Sequence, residues 1–461
     1  MEKKKCIKIQ DAECLFRIAY IVHLLLSFNA VINRTCIVNI SLCITLGLSA
    51  YIGCIKLWRW KKLIYDKNFL LLTLFAISFA VSAAVHYQYG ISGNLKGFIW
   101  LCMQIWLLYL WFDGEDVRRQ VKYIGNVFIA IVTMQNIVNF ILFFIGFSYR
   151  KVFGYGDIHM LGFHWGRLWG IYDDPNHGAA ISVLAIVFAL YLLGENVKNK
   201  KWYVMSLIFQ TLYIYWSDSR TGIYSLVLAI VIWGVVASSY KYKNCFKRKV
   251  RGYAFSVGAA LLIIALVSPV QNVSGEIRNK TKFVYEKYCL GERGEDLEEE
   301  DEDEEVGRKG EMSDPSNRRF AIWKSGVEIW ETSPIIGVSW ANLEPYAEKE
   351  LPETYIVDND LQKFRSLHNM IIDVLVGQGI IGIVLLTCII VNTLAFTFKN
   401  YKMISDTDSL LCGMLFTIIC ISFFISMFIS SIFYVNSPET YVFWFAFGGY
   451  MNILQKNVET G

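Results

Sequence analysis

Two arginines and a histidine carry the most suggestive chemistry in this chain of 461 residues. Arg220 stands in Trp216-Ser-Asp-Ser-Arg-Thr-Gly222. Arg319 follows Arg318 in Asn317-Arg-Arg-Phe-Ala-Ile-Trp323, and His368 sits in Leu367-His-Asn369. Each lies where an apolar run meets a polar connection. Two arginines can hold a diphosphate through paired N–H groups, and a histidine can take a proton from a hydroxyl near neutral pH. A phosphate beside Arg220 would also gain from the free N–H groups and dipole of the helix that begins there. Taken singly, each residue has a plainer reading: a snorkelling arginine with Ser217 to Ser219 capping the next helix, or a structural histidine at the mouth of a helix. Their coincidence on one side of a membrane gives the chemical reading its weight.

The membrane follows from composition. Hydrophobic residues make up 55% of the chain, charged residues 18%, and mean hydropathy is +0.39, against about 45–50% and about 25% in soluble domains. The apolar excess is gathered into twelve blocks near the length that crosses roughly 30 Å of hydrocarbon. They fall at about 14–33, 36–56, 68–86, 95–112, 121–147, 177–194, 202–217, 221–239, 253–271, 369–396, 409–434 and 440–454. The fold expected is an all-α polytopic membrane protein of about twelve spans. Lysine and arginine gather in alternate connections: Lys56 to Lys67, Arg118 to Lys122, Lys198 to Lys201, Lys241 to Arg251, and Lys399 with Lys402. The positive-inside rule then puts both termini in the cytoplasm, and the connections 148–176, 217–220 and 271–368 outside. The first block follows Met-Glu-Lys-Lys-Lys without a small-residue cleavage site and is read as a retained span. Eleven cysteines form no CxxC pair or Cys/His cluster, so neither a disulfide framework nor a zinc site is expected. The net charge of +4 decides little and nothing points to nucleic acid.

The outer connections hold the unusual polar residues. From Gly156 to His177 come His159, His164, Trp165, Trp169, Tyr172 and Asp173-Asp-Pro-Asn-His177. Two readings stand: an interface-anchored loop with Asn176 capping the next helix, and a sugar-binding surface of aromatic faces and amides from Trp169, Tyr172 and Asn176. The spacing of His159 and His164 matches no strong metal pattern. The long interruption 271–368 separates spans one to nine (1–270) from spans ten to twelve (369–461). Its start, from Gln271 to Tyr288, can continue as helix. It holds ten carboxylates within Glu295–Glu305, so the segment 291–315 is expected to be disordered through self-repulsion. Phe320, Trp323, Val327 and Trp330 then recur on one helical face, expected to lie along the membrane surface. Asp373 and the tightly packing Gly377-Gln-Gly-Ile-Ile-Gly382 follow Asn369.

Four stretches in this order, Gly170-Ile-Tyr-Asp-Asp-Pro-Asn176, Ser217-Asp-Ser-Arg-Thr-Gly222, Asn317-Arg-Arg-Phe-Ala-Ile-Trp323 with Pro334-Ile-Ile-Gly-Val338, and Leu367-His-Asn369 with Gly379-Ile-Ile-Gly382, resemble the O-antigen ligase and Wzy-type polymerase superfamily. The resemblance implies a GT-C-like membrane enzyme of the bacterial plasma membrane with its active site outside. Such an enzyme transfers an oligosaccharide from undecaprenyl diphosphate to an acceptor sugar, inverting at the anomeric carbon, with no cofactor and no metal. It implies Arg220 and Arg319, with adjacent Arg318, as diphosphate ligands, His368 as the base on the acceptor hydroxyl, and Asn176, Trp169, Tyr172 and Asn369 as substrate contacts. The partners implied are the lipid-linked glycan, the acceptor glycan, membrane lipids, a chain-length regulator and a flippase. The acidic run and the doubled arginine depart from the family pattern. Within the family, polymerisation of surface-polysaccharide repeat units is favoured slightly over ligation of a finished chain. Outside it, a transporter of lipid-linked glycan or solute is the alternative, disfavoured by mid-span regions nearly free of charge. A membrane sensor or scaffold is weaker still.

Overall fold

The computed structural model describes residues 2–153, 157–195, 199–285, 318–359, 363–405 and 407–460. The acidic run, and the segment 291–315 expected to be disordered, lie outside the described residues. In chain order the helices are α1 (Glu2–Ser27), α2 (Cys36–Trp58), α3 (Lys67–Val85), α4 (Ser92–Met103) continued by a π-helical stretch (Gln104–Tyr109), and α5 (Val117–Phe144). After a sheet of β1 (Ser148–Phe153), β2 (Asp157–His164) and β3 (Arg167–Gly170) come α6 (Pro175–Gly194), α7 (Lys200–Trp216), α8 (Arg220–Lys241) and α9 (Phe246–Tyr285). Then follow α10 (Arg319–Thr332), α11 (Leu343–Glu350), α12 (Met370–Asn400), α13 (Ser409–Ser426) and α14 (Pro438–Thr460).

Helix stands at each of the twelve expected places. Among the described residues, eight helices are long and apolar enough to cross a membrane. α4 and α7, with 12 and 17 residues, are shorter than that. α9 continues past Gln271, as its sequence allows. The largely helical structure fits the expected class, with one small three-stranded sheet in addition. β1, β2 and β3 are antiparallel in that order, and His164 pairs with Arg167 across the two-residue turn Trp165-Gly166. Both turn residues have positive φ, 53° and 69°, the geometry that matches the right-handed twist of a tight hairpin.

The chain forms two compact units, each assembled from separated stretches. Unit 1 comprises Met1–Arg17, Thr45–Val117 and Met312–Gly461; unit 2 comprises Ile18–Ile44 and Arg118–Glu311.

In unit 2, α6 is buried along almost its whole length, with Ala179 to Ala189 inaccessible or nearly so. A buried polar network fixes the chain that enters it. Asn139 Nδ2 donates to Asn136 Oδ1 at 3.0 Å, and Asn139 Oδ1 accepts from the Ile171 N–H at 2.8 Å. Tyr172 donates its hydroxyl to Asn136 Oδ1 at 3.1 Å. His23, the histidine inside the first span, sits buried with Nδ1 2.9 Å from Ser41 Oγ.

In unit 1, α12 is broken. Gly379 has φ 62° and ψ −157°, a combination open essentially to glycine alone. The segment Pro334–Ser339 lies against the break and bonds its freed backbone groups. Val338 and Ser339 donate their N–H groups to the carbonyls of Val376 and Gly377, at 2.8 and 3.1 Å. Ile380 and Ile381 donate to the carbonyls of Pro334 and Ile335, at 2.9 and 3.2 Å. A broken helix in an apolar setting survives only when its backbone is bonded in this way. The same unit buries four ionisable side chains. Glu13 pairs with Arg17 and Lys56, each at 2.8 Å, and Arg17 approaches Glu115 at 3.8 Å, all with inaccessible side chains. Lys56 also donates to the Leu110 carbonyl at 2.6 Å, at the end of the π-helical stretch.

Candidate functional site

The site residues of unit 1 are positioned by contacts between α10, α12 and the chain after α13. α10 begins at Arg319, with Arg318 at its N-cap in the left-handed region, φ 66°. The buried face is Ile322, Ser325, Gly326 and Ile329. The stripe expected to lie along the membrane is another face: Phe320 and Val327 are exposed, and Trp323 and Trp330 are half-buried. Gly326 explains the choice of face. A Cβ there would lie 2.9 Å from side-chain atoms of both Leu367 and Ile372, so the helix closes on α12 only where the side chain is a hydrogen. Trp323 then donates its indole N–H to the Leu367 carbonyl at 3.0 Å.

That contact brings α10 to the residue before His368. His368 is half-buried with φ 50°, a strained conformation for a residue other than glycine. Its neighbours hold it there. The His368 N–H donates to Ser366 Oγ at 3.2 Å, and Ser366 Oγ lies 2.9 Å from Ser430 Oγ. Asp373, buried one turn into α12, accepts from the Leu367 N–H at 3.1 Å and from the Ser430 hydroxyl. One carboxylate therefore holds the residue before His368 and the Ser430 hydroxyl that meets Ser366. Sequence reasoning noted Asp373 without giving it a part; its place one turn after a helix-opening histidine is the available signal.

Arg319 and His368 share a boundary. The Arg319 guanidinium donates through Nη2 to the Phe428 carbonyl at 3.1 Å, and lies 5.3 Å from the centre of the Phe428 ring. Asn369 Nδ2 donates to the adjacent Met427 carbonyl at 3.3 Å. Adjacent peptide groups thus engage Arg319 on one element and the neighbour of His368 on another. Asn369, expected to touch substrate, uses its side-chain oxygen to cap α12 through the N–H groups of Ile371 and Ile372. Its amide oxygen thus serves the helix and its amide nitrogen the Met427 carbonyl.

The Arg220 end belongs to unit 2. Ser219 caps α8, its Oγ accepting from the Gly222 N–H at 3.1 Å, as the Ser-Asp-Ser-Arg spacing suggests. Arg220 follows as the first, exposed residue of the helix. Asp218 is turned into the left-handed region, φ 44°, and Gln271 holds the turn from α9 by donating to the Tyr215 carbonyl at 2.8 Å. Arg167 on β3, which the sequence did not single out, donates from Nε to the Ser217 carbonyl at 2.8 Å and from Nη2 to Asn176 Oδ1 at 2.9 Å. Ser219 Oγ donates to the same Asn176 oxygen at 3.0 Å.

Asn176 therefore links the sheet to the Arg220 turn. It does not cap α6; Asp174 does so, accepting from the N–H groups of Asn176 and His177, with Pro175 in the first turn. Proline in that place leaves Asp174 as the cap, because the capping residue precedes it. Tyr172 is buried, 2% accessible, with its hydroxyl bonded inward, so its ring is no open platform for a sugar. Trp169 is half-buried, and exposed Trp165 stands edge-on to it with ring centres 6.0 Å apart. His164 is buried against the carbonyls of Tyr149 and Leu161, at 3.1 and 2.9 Å. Among the described residues no group of three or more His, Cys, Asp or Glu is arranged to hold a metal ion.

A largely helical chain with several membrane-length apolar helices fits a polytopic membrane protein. Residues 204–387 match the family model described as O-Antigen ligase, which supports the resemblance to the O-antigen ligase and Wzy superfamily. The matched stretch includes Arg220, Arg318, Arg319 and His368. No curated protein matches the chain. The match supports an O-antigen ligase or polymerase type of membrane enzyme.

Proposed function

We propose that this protein transfers an oligosaccharide from undecaprenyl diphosphate to an acceptor sugar at the outer leaflet, by a single inverting displacement. The acceptor oxygen attacks the anomeric carbon as the bond from that carbon to the diphosphate oxygen breaks. The lipid diphosphate leaves with the electron pair, and the acceptor proton passes to His368. Charge grows on the diphosphate as the bond breaks, so fixed guanidinium groups help most at that moment. Arg319, with Arg318, and Arg220 are assigned to that charge. The leaving group needs no proton, so a second carboxylic acid of the glycosidase kind is not required. Asp373 is assigned a positioning part, holding the turn of His368 through Leu367, Ser430 and Ser366. The observation that carries the reading is the left-handed His368, whose preceding residue is bonded to the buried Asp373 carboxylate and to the Trp323 indole of the helix that Arg319 opens.

Repeat-unit polymerisation is preferred to ligation of a finished chain, with product analysis deciding: a ladder of lengthening lipid-linked chains against a single transfer. The break in α12 is a feature shared with transporters, which use exposed backbone at such breaks to hold solute or ion. Here the freed groups are bonded to Pro334–Ser339, which favours an enzyme with a braced loop. In vitro transfer with a lipid-linked oligosaccharide tests the assignment. His368→Ala is expected to lose about 10²–10⁴ in rate, and Arg220→Ala to lose rate as well. Normal turnover by both variants would sink it.

A further inference from the structure

The far ends of α8 and α9 form a second feature, unrelated to the transfer chemistry. Arg220 opens α8 and Lys241 closes it, so roughly 30 Å of helix separates them at 1.5 Å per residue. Lys241, Arg248 and Arg251 are exposed around the connection 242–245. Lys241 lies 5.5 Å from the ring of Tyr242, and among the described residues none of the three cations enters an ion pair. They border a cavity of about 770 Å³ whose further wall is Ile230, Trp233 and Ala259, with no Asp or Glu in its lining. The lining follows one face of each helix, charged at the connection and apolar beyond it. Its floor is closed by tight contact between the two helices. A Cβ on Gly234 would lie 1.7 Å from Ser256 Oγ, and one on Gly252 would lie 2.2 Å from Ser238 Oγ.

A ligand for this cavity must offer fixed negative charge at one end and hydrocarbon at the other. From Arg248 to Ala259 the groove runs roughly 16 Å along α9, past Phe255, which is 78% exposed. We propose that it is a binding site for an anionic phospholipid, the phosphate against Lys241, Arg248 and Arg251 and an acyl chain along the apolar wall. The alternation of charged connections assigns this end of α8 to the cytoplasmic side, where anionic lipid meets basic pockets between membrane helices. A free phosphate would use the three cations and leave the apolar wall unemployed.

Full-length protein, purified in detergent and stripped of lipid, is titrated separately with phosphatidylglycerol, phosphatidylcholine and inorganic phosphate. Thermal unfolding reports protection, and native mass spectrometry reports retained lipid. Phosphatidylglycerol is expected to protect and to stay bound. Lys241→Gln, Arg248→Gln and Arg251→Gln, each at an exposed position, are expected to weaken it about fivefold apiece. Lys399→Gln, outside the cavity, is expected to leave it unchanged. Equal protection by phosphatidylcholine, equal protection by inorganic phosphate, or an equal loss in Lys399→Gln would each overturn the proposal.

Discussion

His368 occupies a backbone conformation that few residues adopt without glycine's freedom, and this makes its side chain and backbone separable by mutation. Asparagine tolerates the left-handed region almost as well as any residue with a side chain. His368→Asn is therefore expected to unfold within about 0.5 kcal/mol of the parent protein, while losing about 10²–10⁴ in transfer rate. Thermal unfolding and single-turnover kinetics separate the two. Asp373 poses the complementary case. Its carboxylate accepts from two donors, the Leu367 N–H and the Ser430 hydroxyl. An amide turned to keep one acceptor contact presents a donor where the other was. Asp373→Asn is expected to cost about 1–3 kcal/mol in stability and to lower kcat by up to about 10² through displacement of the histidine turn. A fall in kcat with KM unchanged would mark positioning; a change confined to stability would reduce Asp373 to a purely structural part.

Among the elements, α12 and the segment before α11 depend on each other. The break at Gly379 would leave backbone groups unbonded without Pro334–Ser339, and that segment would have no partner without the break. A Cβ on Gly379 would lie 2.4 Å from the carbonyl atoms of Ile335, in addition to its disfavoured φ. Gly379→Ala is expected to destabilise by more than about 2 kcal/mol, seen as a lower unfolding temperature and greater proteolysis within 333–345. If the variant unfolds like the parent, the bracing described for this segment is wrong. α10 is docked by different means, through Gly326 and the Trp323 indole, which set it close to the chain ahead of His368.

At the scale of the whole molecule, each unit is built from stretches far apart in sequence, and unit 1 takes in the first seventeen residues. The buried charges explain why. Glu13 and Arg17 on α1, Lys56 on α2 and Glu115 before α5 form one ionic cluster, with the Arg17 guanidinium 3.7 Å from the Trp111 ring centre. Removing one member of such a set leaves the others buried and uncompensated, at about 3–5 kcal/mol. Lys56→Met is expected to show a loss of this size in thermal unfolding. Adding Glu13→Gln to it is expected to recover part of the loss, since the neutral pair no longer strands a carboxylate. Additive losses would mean that the two side chains are not coupled.

Composition and charge alternation were enough to read a polytopic helical membrane protein, because hydrophobic length and the placement of lysine and arginine act through sums over many residues. The order of the arginine and histidine motifs was likewise legible, as was Ser219 as a cap. Other features depended on which neighbour came within about 3 Å, and these only the tertiary structure decided. The hairpin β2–β3 turns through Trp-Gly rather than an asparagine–glycine pair, so the usual turn signal was absent. Asp174 and Asn176 are both good caps in sequence, and Arg167 and Ser219 claim the second for another task. The packed face of α10 was set by the small Gly326 rather than by its large aromatics, because close approach rewards the absence of a side chain. Asp373 took on meaning only when Leu367 and Ser430, 63 positions apart, were seen to share its carboxylate.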